Sequence, residues 1–217
     1  MSGDLSYRVD SGLVTLLGLA GYRRTGKDSA AKFLEQHDFR KIGFADALRK
    51  MCLAVDPLIE LTGTPEAVRE ELGTFDPAGW GTAMRYSHIL VGIGYEKSKE
   101  IPDVRRYMQK LGTEGVRTTF GPDAWVDALE HWLDAQQDGR YVISDVRFHS
   151  EADWIYRHGG IVWRINRPGY GGDDPHPSEI DIPNLRATRD ITATNLTELE
   201  AAVHAAVTDH WPHFTTV

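Results

Sequence analysis

The apolar positions of the chain fall into short runs separated by stretches of helical spacing. The longest run is Leu13-Val14-Thr15-Leu16-Leu17-Gly18-Leu19-Ala20. Its continuity predicts a strand buried on both faces of a parallel sheet. Lys41-Ile42-Gly43-Phe44, Tyr141-Val142-Ile143-Ser144 and Ile161-Val162-Trp163-Arg164-Ile165 read as three more strands, and Ile191-Thr192-Ala193-Thr194 as a fifth. In 122–135, Trp125, Leu129, Trp132 and Leu133 recur at i, i+4, i+7 and i+8. In 196–207, Leu196, Leu199, Val203 and Val207 share one helical face. Both stretches are predicted helices, as are 27–36 and 148–157. Strands alternating with helices point to a parallel sheet with crossover connections.

Residues 1–12 read as a loose lead-in. The stretch 46–138 has helical character and no good strand, and it is too long for one crossover. It predicts a helical subdomain beside a core of about residues 13–45 and 139–208, all within one domain spanning 1–217. Residues 166–183 hold Pro168, Gly169, Gly171, Gly172, Asp173, Pro175, Pro177 and Pro183, a composition that predicts a loop or lid.

Composition narrows the classes. A chain of 217 residues can bury a core without disulfides or metal staples. Its single cysteine, Cys52, rules out an internal disulfide and a multi-cysteine metal site, and predicts a reducing, cytoplasmic setting. No apolar run approaches the ~18 residues of a membrane span, and Met1–Asp10 is too polar for a secretory leader. With 32 acidic against 24 basic residues the net charge is −8, which argues against stable nucleic-acid binding. The 24 basic residues are 17 Arg and 7 Lys. Arg grips phosphate bidentately, so the bias suits a small phosphorylated ligand; codon bias would produce it too.

Directly after the first strand comes Gly21-Tyr22-Arg23-Arg24-Thr25-Gly26-Lys27-Asp28-Ser29. The spacing is G-x-x-x-x-G-K. Two glycines let the backbone wrap a phosphate with its N–H groups, and the following helix points its N-terminus at the anion. Lys27 would reach the outer phosphates. Asp28 stands where Ser or Thr normally touches Mg²⁺, and Ser29 comes one residue late.

With this loop as the first segment, the sequence resembles the bacteriophage-type deoxynucleoside monophosphate kinases. Further segments agree in order: Phe44-Ala45-Asp46-Ala47-Leu48-Arg49, Arg105-Arg106-Tyr107-Met108-Gln109-Lys110-Leu111-Gly112-Thr113-Glu114, Phe120-Gly121-Pro122-Asp123-Ala124-Trp125-Val126, and Ser144-Asp145-Val146-Arg147-Phe148-His149-Ser150-Glu151. Gly159-Gly160, Arg167-Pro168-Gly169, His176-Pro177-Ser178-Glu179 and Thr194-Asn195 complete the set. The resemblance spans roughly 13–207. Ser150 departs from the Asn of many members, and residues 73–100, with Gly79-Trp80-Gly81, match no segment of the pattern.

The resemblance implies an α/β fold of the P-loop NTPase, nucleoside monophosphate kinase-like kind. That means a five-stranded parallel sheet flanked by helices, a helical acceptor-binding subdomain and a lid loop. It implies transfer of the γ-phosphate of ATP to a deoxynucleoside monophosphate, with Mg²⁺, and a homodimer. If the chain is phage-encoded, the setting is the host cytoplasm. Residues 21–29 are expected to hold the donor phosphates, with Asn195 at the donor adenine or simply capping a helix. Asp28 and Asp145 are the metal candidates. Asp46, Arg105, Gln109, Thr113, Glu114, Arg117, Trp125, Asp145, Arg147 and Glu151 are the acceptor candidates, and Lys27, Arg117, Asp145 and Arg167 the catalytic ones. Plain structural readings stand beside these. Asp46 and Asp145 suit helix N-caps, Arg147 and Glu151 an i,i+4 pair, Trp125 a core residue, and Arg105, Arg117 and Arg167 surface arginines.

Two other functions compete: a P-loop kinase of another small phosphorylated acceptor, such as a coenzyme precursor, and a non-catalytic nucleotide switch. The chain has no Asn-Lys-x-Asp guanine motif, no H-E-x-x-H zinc motif and no Gly-x-Ser-x-Gly elbow.

Overall fold

A computed structural model of the chain describes residues 7–9, 12–73, 83–136, 138–171 and 182–213. These residues divide into two compact units, one formed by the chain up to Phe44 and from Val126 onward, the other by Ala45–Trp125.

The first unit is built on a sheet of five parallel strands: β2 (Gly12–Ala20), β3 (Phe39–Ile42), β6 (Gly139–Val146), β7 (Ile161–Asn166) and β8 (Arg189–Thr192). Their spatial order is β3-β6-β2-β7-β8, so β2 is central. Val14, Leu16, Leu17, Leu19 and Ala20 of β2 are each no more than 1% exposed, as a strand covered on both faces requires. A short strand, β1 (Tyr7–Val9), pairs antiparallel with β2. This corrects the expectation of a loose lead-in.

On one face, α1 (Lys27–Leu34) and α9 (Leu196–His210) pack Ala30, Ala31, Leu34, Leu199, Val203 and Val207 onto Leu17, Leu19, Trp163 and Ile165. Leu196, placed by its spacing on that stripe, is instead 61% exposed, because it is the first residue of α9. On the other face α8 (His149–Arg157) presses Ile155 close to Gly18, where a Cβ would lie 2.6 Å from the Ile155 Cδ1. α7 (Ala124–Asp134) precedes β6.

The second unit contains α2 (Asp46–Val55), β4 (Leu58–Glu60), α3 (Glu66–Glu71), β5 (Ala83–Arg85), α4 (Tyr86–Ser98), α5 (Pro102–Gln109), a π-helical segment (Lys110–Arg117) and a single turn, α6 (Thr118–Phe120). β4 and β5 form an antiparallel pair, so this region is not all-helical as expected. The division falls at Trp125, whereas the expected subdomain ran on to 138. The core of the unit gathers Cys52, Ile59, Val68, Tyr86, Ile89, Ile101 and Val104. Cys52 is fully buried there, and burial pushes its thiol up to about 11, so it is a packing residue rather than a nucleophile. Among the described residues no helix is long and apolar enough to cross a membrane.

One buried polar contact ties the turn after α1 to α9. His37 is 1% exposed, and its Nε2 lies 2.6 Å from the His204 Nδ1. The His37 Nδ1 is buried without a partner. A bare ring nitrogen is cheaper to bury than an orphaned N–H, so the His37 Nε2–H donates to His204. Around the pair stand Glu200 on α9, 3.9 Å from the His204 Nε2, and Arg140 on β6, which donates to the His37 carbonyl at 2.9 Å. Burial, then His204, then Arg140 hold the His37 pKa below its ordinary 6.5, against the raising effect of Asp38. The unfolded chain therefore binds the proton more readily, and stability is fully present above pH 6.5 and lost as pH falls through that value. Melting temperature is expected to drop from pH 7 to pH 5, with a shallower slope in His37→Gln. Equal slopes in the two proteins would refute this account.

Candidate functional site

The loop Gly21–Gly26 leaves the carboxyl end of β2 and enters α1 at Lys27. The chain turns to β3 on one side of β2 and later to β7 on the other. In open α/β sheets ligands bind at such a switch point. Gly21 has φ +144 and Gly26 φ +104, and Arg24 also adopts the left-handed region at φ 66. A Cβ on Gly21 would lie 2.4 Å from the Ile165 carbonyl oxygen, so only glycine lets the loop start this close to β7. The Thr25 hydroxyl donates to the Tyr22 carbonyl at 2.9 Å. Lys27 is buried, and its ammonium donates to the carbonyls of Gly21 at 2.5 Å and Tyr22 at 2.8 Å. The loop thus carries a positive charge at its centre and the N-terminus of α1 at its edge, the arrangement that suits a phosphate. Arg23 and Arg24 are exposed and Ser29 is half-buried on α1.

The segment after β7 packs on this loop. Arg167-Pro168-Gly169-Tyr170 closes a turn through the Tyr170 N–H and the Arg167 carbonyl at 3.1 Å, with Gly169 at φ 80. That is the type II pattern, Pro then Gly. The Arg167 guanidinium lies 4.4 Å above the Tyr170 ring. Arg167, Thr25, Gly26, Asn195 and Leu199 line one small cavity of about 50 Å³. The rest of the expected lid, 172–181, and the His176-Pro177-Ser178-Glu179 segment lie outside the described residues.

Several candidates carry structural duties. The Asn195 Oδ1 caps α9 by accepting from the Glu198 N–H at 3.0 Å, and its Nδ2 donates to the Glu198 Oε1 at 2.9 Å. Glu198 also accepts from the Thr194 N–H and hydroxyl, which hold its carboxyl below the usual range. Glu151 is 3% exposed, and its carboxylate accepts the backbone N–H groups of Arg147 and Phe148 at 2.8 and 3.1 Å. The expected Arg147–Glu151 relation thus includes a backbone bond that fixes the start of α8. Asp145 does not cap α8, whose N-cap is Phe148. Its Oδ1 accepts from the Phe44 N–H at 2.9 Å, and its carboxylate fills the space a Gly43 side chain would need. Asp28 is ion-paired with Lys41 at 2.6 Å. Sequence reading missed both Gly43 and Lys41. The glycine just past β3 was the available sign; nothing in the spacing marked the lysine.

In the second unit Asp46 is the first residue of α2. Ala45 is the N-cap, and Asp46 pairs with Arg49 at 3.1 Å. Arg49 in turn lies 4.2 Å above the Tyr95 ring, a contact that sequence reading did not find. Arg105 is exposed and donates to the Lys99 carbonyl. Gln109 ends α5, and Thr113, Glu114 and half-buried Arg117 follow on the π-helical segment. Trp125 is only 5% exposed, and its indole N–H donates to the Gly112 carbonyl at 3.1 Å. It packs as a core residue of this region. Among the described residues no three His, Cys, Asp or Glu side chains gather to hold a metal by themselves.

A parallel sheet of this order, with a glycine-framed loop and a buried lysine at the end of its central strand, defines a P-loop nucleotide-binding protein. Residues 82–204 match the family of deoxynucleotide monophosphate kinases. A protein of Acanthamoeba polyphaga mimivirus that carries that name is 30% identical over 189 residues, covering 85% of this chain and 90% of the relative. The deoxynucleotide monophosphate kinase of Enterobacteria phage T4 is 36% identical over 84 residues, 37% of this chain and 34% of that one. The chain belongs to the deoxynucleotide monophosphate kinase family. Residues 82–100, unmatched by motif, fall inside the family's span. Dephospho-CoA kinase from Campylobacter jejuni is similar at 16% identity and a TM-score of 0.46, over 91% of this chain and 97% of that one; likeness at that level adds nothing on substrate.

Gly21→Ala combines a positive φ with a backbone clash. It is expected to destabilise the chain by about 1–3 kcal/mol and to weaken ATP binding. Unchanged melting temperature and ATP affinity would show that the loop start tolerates a side chain.

Proposed function

We propose that the chain transfers the γ-phosphoryl group of ATP to a deoxynucleoside 5′-monophosphate, giving the diphosphate and ADP. The reaction serves nucleotide salvage for DNA synthesis, in a host cytoplasm. One observation carries the reading: the loop Gly21–Lys27 at the end of the central strand, in a chain of this family.

The chemistry asks little acid–base work of the protein. The acceptor phosphate has a second pKa of about 6 and is largely ionised at neutral pH, so it needs no general base. What it needs is two polyanions held together in line while charge on the moving group is neutralised. Lys27 and the backbone N–H groups of 22–28 hold the donor phosphates. Arg167 sits beside Thr25 and Gly26 on the same cavity, where it serves the transferring phosphates. Arg105 and Arg117 clamp the acceptor phosphate. Asp46, Gln109, Thr113 and Glu114 line its nucleoside.

The residues present fit Mg²⁺. Magnesium is held by one or two carboxylates plus substrate phosphates and water, and the site has carboxylates at the end of β6 and the start of α1. Asp145, at the end of β6, and Asp28, in the first turn of α1, are the carboxylates that would hold it. When bound, the ion neutralises charge on the donor phosphates. The competing readings, a coenzyme-precursor kinase and a switch, lose ground to the family assignment.

The test is ADP formation with ATP–Mg²⁺ and each of dAMP, dGMP, dCMP, dTMP and GMP. One or more deoxy forms are expected to drive stoichiometric ADP and diphosphate. ADP formation indifferent to every monophosphate would sink the assignment. Lys27→Ala is expected to lower the rate on the order of 10²-fold or more; near-normal turnover would remove the loop from the mechanism.

A further inference from the structure

β3 and the two residues after it touch both carboxylates proposed to hold Mg²⁺. The Lys41 ammonium, on β3, donates to the Asp28 Oδ1 at 2.6 Å. Three residues on, the Phe44 N–H donates to the Asp145 Oδ1 at 2.9 Å. Lys41 stands opposite Val142 in the parallel register with β6, so one short strand serves the start of α1 and the end of β6 together. The two contacts differ in kind. The Phe44 N–H is a neutral donor fixed by the backbone. Lys41 brings a full positive charge to a carboxylate whose side chain is 75% exposed. The loop pattern normally has Ser or Thr at the position of Asp28, and a hydroxyl carries no charge for a lysine to balance. Asp28 and Lys41 therefore enter as a pair, one charge offsetting the other. Two cations on one carboxylate repel each other at short range.

We infer that Lys41 is a specificity-determining residue for the metal: its ammonium sits on Asp28 as a tethered cation, so that this carboxylate is less available to a bare divalent ion than to one accompanied by nucleotide phosphates. The inference rests on the reading above that Asp28 helps to hold Mg²⁺. A bare ion meets a carboxylate already offset by Lys41 and gains little there. An ion that arrives with nucleotide brings negative phosphates, which take up the charge of the ammonium. Lys41 thus biases the chain against the free ion and toward the metal–nucleotide complex that the proposed reaction consumes.

The test is direct metal binding, with Mn²⁺ as the probe, followed by electron paramagnetic resonance on the full chain with and without ADP. Lys41→Met removes the charge and keeps an unbranched side chain; Lys41→Gln carries the same test should that variant fail to fold. Without nucleotide, the Mn²⁺ dissociation constant is expected to fall roughly two- to fivefold, the scale of one exposed ion pair. With ADP the fall is expected to be smaller, so the preference for the metal–nucleotide complex shrinks. Lys41→Arg, which keeps the charge, is expected to hold the unaltered values. Adding Asp28→Asn to Lys41→Met is expected to erase the gain. Unchanged or weaker Mn²⁺ binding in Lys41→Met, an equal gain with and without ADP, or a gain that survives Asp28→Asn would each overturn the inference. The two levels fail separately. If Asp28→Asn alone leaves Mn²⁺ binding with ADP unchanged, the metal role of that carboxylate falls and takes the inference with it. If Asp28→Asn weakens binding and Lys41→Met changes nothing, only the role of Lys41 falls.

Discussion

Everything chemical in this chain hangs on the turn from β2 into α1. A strand buried on both faces delivers its next residues between its neighbours at the carboxyl end of the sheet, and sterics permit that path here only at special residues. At Gly21 the Ile165 carbonyl stands 2.4 Å from where a Cβ would be. The same residue's own carbonyl accepts from the Lys27 ammonium. One glycine therefore registers the loop against β7 and the lysine against the loop. Tyr22 extends the arrangement, accepting from both Thr25 and Lys27 and meeting Gly171 of the segment beyond β7. Strand, loop, helix and the segment beyond β7 are held by a handful of short contacts, and a cation is fixed at the carboxyl end of the central strand.

The frame of this arrangement was legible in the sequence because it is written in local patterns. Continuous apolar runs mark strands covered twice, and the runs at 13–20, 141–144 and 161–165 lie within β2, β6 and β7. β3 and β8 begin two residues earlier than their apolar runs, at Phe39 and Arg189, where parallel pairing with β6 and β7 starts. Elements fixed by distant partners were not legible. β1 is three residues that exist by pairing with β2. β4 and β5 bring Leu-Ile-Glu against Ala-Met-Arg from far along the chain, and Ala-Met-Arg has little strand propensity of its own. The π register of 110–117 has no composition signature at all.

The site was harder to read than the fold, for a chemical reason. Carboxylates and amides that suit a ligand also suit the backbone. Asn195 and Glu198 satisfy the first turn of α9, and Glu151 satisfies the start of α8. Each sits just before or inside a helix start, where side-chain acceptors are wanted. Asp145 escaped that fate. Its carboxylate receives the Phe44 N–H across the sheet instead of capping its own helix, which braces the ends of β3 and β6 and keeps an acidic group at the strand ends where ligands of such sheets sit. Sequence position could suggest either role for Asp145; only the packing of Gly43 against it decides.

These features bear on how a chain with net charge −8 can handle two polyanions. Overall charge is a long-range quantity and is screened beyond about 10 Å at ordinary ionic strength. Under the proposed function, what acts on a phosphate is the local field of Lys27 and the start of α1. A reaction whose nucleophile is already ionised gains nothing from a tuned base, so its rate depends on where charges stand rather than on how they titrate. Small uncharged contacts then matter to the proposed reaction. Gly21 without its Cβ places an ammonium, and an arginine stacked on Tyr170 waits beside Thr25 and Gly26.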